Sequence, residues 1–263
     1  MIFVAKNLKA NGVNLLMNDY AAGLPSPLSF IGLADVLARE LGVTPWSARI
    51  IPILHAVHVS TGRKKPEMAP KSGKFAPIEI VEGITGSAEV SLIIDLPGFD
   101  DSTELAEALI GKRIAGGLIA STSITVREVT ADGSAFLGLR RGYAMVRPDD
   151  PRRQGASRGD LESLKKIAST LYPAEKGEGF GWIVPASVGY RLIEDPDTVP
   201  ARQGTRSETI PHVFAEPLVG IAELLSVRNT RLRNASTDYL NDLFWGWVPN
   251  DDLITGHSAY FIL

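Results

Sequence analysis

The chain has 263 residues, with 27 lysines and arginines against 30 aspartates and glutamates, a formal net charge of −3 and a hydrophobic fraction of 44%. This composition is typical of a globular protein and excludes a disordered chain, which would be richer in charge and poorer in apolar residues. Because the sequence contains no cysteine, it also excludes a disulfide scaffold, a cysteine-based zinc site and a thiolate nucleophile.

The sequence gives no sign of a membrane partner or of export. Its apolar runs are all shorter than the roughly 20 residues that a membrane helix needs, and the first residues lack the pattern of a signal peptide. We therefore expect a cytoplasmic protein. The slightly acidic balance does not indicate nucleic-acid binding, because free-standing binders often have a pI above about 9. A nucleic-acid site would have to rest on local basic clusters.

Six regular elements are predicted in the first half of the chain. A strand over residues 1–10 would place Ile2, Val4 and Leu8 on one face. A helix follows, with Ser26 as its N-cap and Gly42 at its end. The remaining predictions are strands over 48–59, 87–96 and 118–126, a helix over 102–113 and, over 61–77, a loop rich in proline, glycine and lysine.

The order β-α-β-β-α-β is the split βαβ, or ferredoxin-like, arrangement. The sequence therefore predicts an α+β fold with a ferredoxin-like domain over residues 1–130. Residues 131–263 are predicted to form a less regular, β-rich C-terminal part packed against it. Its expected elements are strands over 141–147, 180–192 and 259–263 and a helix over 160–172, with 211–225 ambiguous. Many unrelated proteins use such folds, so the fold does not decide the function.

Two basic clusters in the first half are candidates for binding phosphate. Arg63, Lys64 and Lys65 open the lysine-rich loop, where positive charge attracts phosphate electrostatically, although a solvated loop explains the same composition. Arg113 precedes the pair Gly116 and Gly117, whose backbone N–H groups can come close to a ligand oxygen. A helix end followed by a turn is the alternative for this second cluster.

Two arginine clusters in the second half extend this pattern. Arg140 and Arg141 are followed by more basic residues but also by four acids, while Arg202 and Arg206 open a stretch without lysine. Arginine binds phosphate bidentately and stacks on bases, which favours contact with RNA. Ordinary ion pairs with Glu208, Glu216 and Glu223 are the alternative for the stretch that begins at Arg202. Five aromatic residues are candidates either for stacking on bases or for the core: Trp182, Tyr190, Phe244, Trp245 and Trp247.

The histidines do not indicate a metal site. His55 and His58 are three apart on a predicted strand and should point to opposite faces, so they cannot hold one ion without a bulge. We predict no metal and no cofactor. His58 with Lys64 or Lys65 nevertheless leaves open a metal-independent ribonuclease, which needs a base for the 2′-hydroxyl and a cation for the phosphate.

Several short segments occur together in the order of one known family. They are Gly23-Leu24-Pro25-Ser26-Pro27, Arg63-Lys64-Lys65, Arg113-Ile114-Ala115-Gly116-Gly117, Arg140-Arg141-Gly142-Tyr143, Gly181-Trp182-Ile183-Val184-Pro185, Arg202 with Arg206, and Phe214-Ala215-Glu216. With these segments the chain resembles the family of subunits that bind the 5′ handle of CRISPR RNA (crRNA) in the type I-F surveillance (Csy) complex. That family belongs to the RAMP superfamily, which is built on ferredoxin-like folds.

The resemblance implies a non-catalytic subunit that holds the crRNA 5′ handle and caps the backbone filament. Its partners would be the backbone and large subunits, with contact to target DNA through the complex. The RNA-binding residues it implies are Arg63, Lys64, Lys65, Arg113, Gly116, Gly117, Arg140, Arg141, Arg202 and Arg206. The chain departs from the family in the short segment 148–180, where family members carry an insertion. The alternatives are an endoribonuclease that processes CRISPR repeat RNA and a small-molecule enzyme on a ferredoxin-like fold.

Overall fold

The computed structural model describes residues 1–18, 21–60, 65–71, 74–81, 84–129, 134–148, 165, 168–169, 171–172, 181–200, 202, 212–250 and 253–255. This part of the chain is a mixed α/β structure with more strand than helix. Its strands are β1 (Ile2–Asn14), β2 (Leu16–Asn18), β3 (Ala21–Ala22), β4 (Arg49–Val59), β5 (Lys65–Lys71), β6 (Lys74–Val81), β7 (Thr85–Asp95), β8 (Arg113–Ile114), β9 (Gly117–Ile119), β10 (Thr125–Glu128), β11 (Tyr143–Val146), β12 (Trp182–Leu192), β13 (Ala215–Ser226), β14 (Val248–Asn250) and β15 (Leu253–Thr255). Its helices are α1 (Pro27–Glu40), α2 (Ser102–Leu109) and two short ones, Thr230–Arg233 and Thr237–Leu243.

One antiparallel sheet of eleven strands organises the described residues. Its middle runs in the order β11, β4, β7, β1 and β9, and β10 pairs with β1 on the same edge as β9. The connection from β1 to β4 contains α1, and the connection from β7 to β8 contains α2. β12 and β13 extend the sheet beyond β11. The larger elements of the first half thus follow the predicted order. The division into a domain over residues 1–130 and a C-terminal part over 131–263 stays a prediction.

Each face of the sheet carries an apolar core. On the helix face, Phe3 and Leu92 pack with Phe30 and Leu37 of α1. On the opposite face, Val4, Ile51 and Ile93 pack against Phe136 and the two short C-terminal helices. Alternate residues in the apolar parts of β1, β4 and β7 are therefore buried in different cores.

The first helix begins and ends where the sequence predicts. The Ser26 side chain accepts a hydrogen bond from the Leu28 N–H at 3.2 Å, and Pro27 occupies the first helical position. Gly42 follows the C-cap with a φ of +70°, the left-handed conformation that glycine adopts without steric cost. Asp101 likewise caps α2 by accepting from the N–H groups of Thr103 and Glu104.

Two β-bulges correct the predicted faces of the central strands. In β1 the register with β7 shifts between Ala5 and Leu8, so Leu8 joins the core on the helix face rather than the core of Val4. In β4 the register shifts between Leu54 and Ala56. The extra residue places His55 on the same face as His58, so the prediction that these histidines point to opposite faces is wrong.

Several other boundaries differ from the predictions. The loop expected over 61–77 instead contains the hairpin of β5 and β6. The helix expected over 102–113 ends at Leu109, because Ile110 is extended and Gly111 has a φ of +74°. The strand expected over 118–126 is divided into β9 and β10, and the ambiguous stretch 211–225 forms β13. The predictions for 160–172 and 259–263 lie largely or wholly outside the described residues.

Candidate nucleic-acid interface

A segment over residues 134–142, here called the crossing segment, crosses the sheet face opposite α1 from β10 to β11. Arg127 of β10 fixes its first part, because its Nη2 donates to the carbonyls of Ala135 at 3.0 Å and Leu137 at 3.2 Å. Ala135 and Phe136 are buried in the core of this face. The segment therefore covers the apolar half of the face.

Beyond Leu137 the crossing segment passes over β1, β7 and β4 in turn. A methyl group added at Gly138 would lie 3.4 Å from Nζ of Lys6 in β1. Arg140 Nη2 then bonds to Oε2 of Glu89 in β7 at 2.5 Å. On the other side of these contacts the same sheet face is polar and accessible. We call this part, which carries Lys9, Asn11, His58, Ser87 and Glu89, the open half.

A chain of hydrogen bonds links the two bulges to the crossing segment. The Asn7 N–H donates to Ser91 Oγ at 3.1 Å, and Ser91 Oγ lies 2.7 Å from His55 Nε2. His55 Nδ1 lies 3.1 Å from the Arg141 carbonyl, which can only accept. This assigns the proton of neutral His55 to Nδ1 and makes the Ser91 hydroxyl the donor to Nε2. The bulges thus supply the polar groups that hold Arg140 and Arg141 over the sheet.

The environment of His55 favours its neutral form. Burial lowers the pKa of His55, and the nearby Arg140 guanidinium lowers it further. The hydrogen bond to the Arg141 carbonyl and the Glu89 charge act in the opposite direction, but the pKa stays below its ordinary value. The neutral ring therefore makes the hydrogen bonds described above at pH 7.

Two cations share one carboxylate beside this chain of hydrogen bonds. Glu89 Oε1 lies 3.6 Å from Lys9 Nζ, while its Oε2 receives the bond from Arg140. The hydrogen bond from Arg140 is the main cause that holds the pKa of Glu89 below its ordinary value. The side chains of Lys9 and Arg140 remain 67% and 50% exposed. The three groups together carry one net positive charge at the surface of the open half.

The pairing register places Arg113 on the same face. Arg113 pairs with Leu118, Leu118 with Asn11, Asn11 with Ser87, and Ser87 with His58. Directly paired residues of antiparallel strands share a face, so these five residues form one row across β8, β9, β1, β7 and β4. Lys9 and Glu89 form the next pair along β1 and β7 on that face. The structure thus brings two predicted arginines, Arg113 and Arg140, to one face.

The glycines after Arg113 have a clear structural task. Ala115 and Gly116 have φ angles of +46° and +81°, as in the two-residue turns that join tight hairpins. Arg113 Nη1 donates to the Gly116 carbonyl at 2.7 Å, and this bond holds the guanidinium at the turn of the β8 and β9 hairpin. A Cβ at Gly117 would lie 2.6 Å from the Val13 nitrogen. Gly117 therefore lets the hairpin approach β1, and its contact with RNA stays a prediction.

The predicted basic loop begins at the end of the sheet where the row through Arg113 and His58 lies. β4 ends at Val59 and β7 begins at Thr85, so the β5 and β6 hairpin starts where the row through His58 crosses the sheet. Lys65 is the first residue of β5. Arg63, Lys64 and Arg206 lie outside the described residues.

Arg202 is held in the connection between β12 and β13 rather than on the open half. Its guanidinium forms an ion pair with Glu194 and stacks over the Phe214 ring, 4.3 Å from the centroid. The same glutamate accepts from the Phe214 N–H at 2.7 Å. These contacts join Arg202 to Glu194, which follows β12, and to Phe214, which precedes β13.

The aromatic candidates divide between core and surface. Phe244 and Trp245 are 1% and 2% exposed, and Trp245 donates to the Met145 carbonyl at 3.0 Å. They therefore belong to the core. Trp182 and Tyr190 on β12 are 59% and 42% exposed, so their use in base stacking stays a prediction.

Sequence reasoning did not select Lys9, Glu89, Ser91 or Asn7. One signal was present, because Lys6 and Lys9 are the charged residues of β1 although their positions have opposite parity. A bulge between them resolves this conflict. The contacts of Ser91 and Glu89 depend on residues more than 35 positions away and leave no local pattern.

Comparison with known proteins concerns the second half of the chain. Residues 156–253 match a family described as CRISPR-associated protein (Cas_Csy2). The match makes the chain similar to this family over less than half of its length. The matched residues include β12, β13 and Arg202, but not the open half of the sheet. A search of curated proteins gave no match.

Two negative findings apply to the described part of the chain. Among its helices none has the length and apolar character needed to cross a membrane. Within the same residues, no three His, Cys, Asp or Glu side chains are grouped so that they could hold a metal ion.

Proposed function

We propose that the chain is a non-catalytic, cytoplasmic crRNA-binding subunit of a type I-F-like CRISPR complex. It holds the 5′ handle and caps the backbone filament, and it contacts the large subunit and, through the complex, target DNA. The observation that carries the proposal is the convergence of Lys9, Arg113 and Arg140 on the open half. The match to a CRISPR-associated family supports it independently, because that match lies in another part of the chain.

The geometry suits a single strand of RNA. The guanidinium groups of Arg113 and Arg140 suit phosphate, because they offer paired donors. Asn11, Ser87 and His58 lie in the same row as Arg113 and supply polar groups for base edges and 2′-hydroxyls, the groups that single-stranded RNA exposes. The order of β1, α1, β4, β7, α2 and β9 supports the ferredoxin-like, RAMP-type assignment, in which α1 and α2 leave the opposite face available.

A metal-independent endoribonuclease is the second candidate. The observation that favours it is the bulge in β4, which places the exposed His58 in the same row as Arg113. His58 would serve as general base for a 2′-hydroxyl, and Lys64 or Lys65, which follow His58 closely in the sequence, would stabilise the phosphate. Incubation of repeat RNA with excess protein in EDTA separates the two candidates, because a binding subunit leaves the RNA intact.

Purification of the tagged protein from cells that express its native gene neighbourhood tests the main proposal. The expected result is RNA of uniform length that shares one repeat-derived 5′ end, together with stoichiometric protein partners. A monomer free of nucleic acid would contradict the proposal. In that case the fold would serve another function, and the small-molecule enzyme would become the leading alternative.

A further inference from the structure

Glu89 is a carboxylate on a surface that we propose for RNA. It pairs with Lys9 across β7 and β1, and its side chain is 30% exposed. A carboxylate repels phosphate, so at this position it lowers the affinity for every RNA that does not compensate its charge. Such a group suits selection among ligands, because specificity requires that the wrong ligands bind badly.

The two carboxylate oxygens of Glu89 have different contacts. Oε2 accepts the hydrogen bond from Arg140 Nη2 at 2.5 Å, whereas Oε1 lies 3.6 Å from Lys9 Nζ. The second distance is that of an ion pair and is too long for a direct hydrogen bond. Oε1 is therefore able to accept a hydrogen bond from a donor on a ligand.

The charge state of Glu89 limits what Oε1 can bind. The hydrogen bond from Arg140, together with the charges of Arg140 and Lys9, holds the pKa of Glu89 below its ordinary value, so the group is ionised at pH 7. An ionised carboxylate accepts hydrogen bonds but donates none. A group that binds Oε1 must therefore carry its own proton.

The neighbours of Glu89 would bring an RNA strand next to Oε1. Lys9 and Arg140, the two cations in contact with Glu89, are 67% and 50% exposed. Ser87 lies on the same face of β7, about 7 Å along the strand, and begins the row that leads to Arg113. A strand whose phosphates contact Arg113 and Arg140 therefore has its bases and riboses close to Glu89.

The hydrogen-bond donors of RNA differ from base to base. Adenine, cytosine and guanine each carry an exocyclic amino group, and carboxylates accept from such groups, as Glu and Asp do from N4 of cytosine. Uracil has no amino group, and its N–H lies between two carbonyl oxygens that repel a carboxylate. The 2′-hydroxyl is common to all ribonucleotides. Amino groups are therefore what Glu89 can distinguish.

We propose that Glu89 is a specificity-determining residue, whose Oε1 accepts a hydrogen bond from the amino group of one base of the bound RNA. The inference rests on the proposed function, because it concerns how RNA is selected at the same surface. Lys9 and Arg140 attract any RNA through its phosphates. An RNA without an amino group at the right place leaves the carboxylate unpaired beside phosphate and binds less tightly.

The affinities of two RNAs for the purified protein test the proposal. The probes are a labelled RNA of the co-purified handle sequence and oligouridine of the same length. Glu89→Gln removes the charge and keeps the shape, and Glu107→Gln, at an exposed position of α2, controls for net charge. We expect the ratio of handle to oligouridine affinity to fall about tenfold in Glu89→Gln and to stay unchanged in Glu107→Gln. An equal change for both RNAs would show that Glu89 acts through charge alone or only positions Arg140, and would overturn the inference.

A second variant, Glu89→Ala, identifies the base that is read. Each handle nucleotide with an amino group is replaced in turn by uridine. We expect one position at which the replacement lowers the affinity of the wild type about tenfold and that of Glu89→Ala less than about twofold. Equal losses in both proteins at every position would overturn the inference alone, whereas a wild type that does not prefer the handle to oligouridine would overturn the proposed function with it.

Discussion

The hydroxyl oxygen of Ser91 lies 2.7 Å from Nε2 of His55 and joins the middle strand of the sheet to the bulge in its neighbour. Ser91 is fully buried, so its hydroxyl needs a partner inside the protein. His55 in turn holds the Arg141 carbonyl. The position of the arginines over the sheet thus depends on the buried Ser91 and the half-buried His55.

The pH dependence of folding should reveal this role of His55. Burial lowers its pKa, so the unfolded chain binds the proton at a higher pH than the folded chain does. Stability is therefore full above the ordinary histidine pKa of about 6.5 and is lost as the pH falls through the lower, folded value. His55→Gln should reduce the difference between unfolding free energies at pH 8 and pH 5.5, measured with urea. Asn11→Gln, a control on the same face, should leave that difference unchanged. A difference in His55→Gln equal to that of the wild type would show that His55 does not cause the pH dependence.

The close approach of the β8 and β9 hairpin to β1 should make Gly117 sensitive to the smallest substitution. Gly117→Ala places a methyl group 2.6 Å from the Val13 nitrogen and should cost about 1–3 kcal/mol in urea unfolding. Gly32 of α1 has no atom within 4 Å of an added Cβ. Gly32→Ala should therefore stabilise by about 0.5–1 kcal/mol, and effects of the same sign in both variants would contradict this account.

The buried carboxylate of Glu223 should make Arg231 important for stability. Glu223 is 1% exposed and accepts from Arg231 Nη1 at 3.1 Å and from the Gly181 N–H at 2.7 Å. Removal of one partner from a buried ion pair costs about 3–5 kcal/mol, and Arg231→Met should approach that range in urea unfolding. Arg233→Met, at an exposed position of the same short helix, should cost less than about 0.5 kcal/mol. Equal losses in both variants would show that the buried pair is not the cause.

The salt dependence of RNA binding should report the cations of the open half. Combined Arg113→Ala and Arg140→Ala should make the slope of log K against log salt shallower by about 0.7 per lost phosphate contact on a single strand. Binding is measured with the purified protein and a labelled RNA of the co-purified handle sequence. Arg202→Ala tests the predicted contact of Arg202 separately.

A double substitution on the other face controls for net charge. Arg39→Ala with Lys112→Ala also removes two cations, but from the ion pairs with Asp35 and Glu40. This control should leave the slope close to that of the wild type. Equal slopes for both double variants would show that the open half does not contact phosphate.

Local sequence signals predicted the elements of the first half but not their geometry. Ser26, Pro27 and Gly42 define α1 because caps depend on neighbouring residues. The bulges at Asn7 and His55 were not predicted. One extra residue moves the later side chains of a strand to the other face, but both faces of β1 and β4 contribute to apolar cores, so the shift leaves little trace in the sequence. Arg113 was expected at a helix end and instead opens β8, since the helix ends four residues earlier at Leu109.

The candidate site could be predicted only in part for a related reason. Arginine-rich segments identified Arg113 and Arg140 as separate candidates, and only the pairing of five strands places them on one face. Lys9 and Glu89 showed no motif at all. Contacts between residues far apart in the chain decide such a surface, and a single sequence does not record them.

The most direct test of the central claim is a map of RNA–protein crosslinks in the complex purified with its native RNA. Ultraviolet irradiation, digestion and mass spectrometry identify the peptides attached to nucleotides near the 5′ end. The account predicts crosslinks from the repeat-derived handle to peptides that contain Lys9, Arg113 or Arg140. Handle crosslinks confined to other peptides, such as those around Arg202, would contradict the claim that the open half of the sheet holds the RNA.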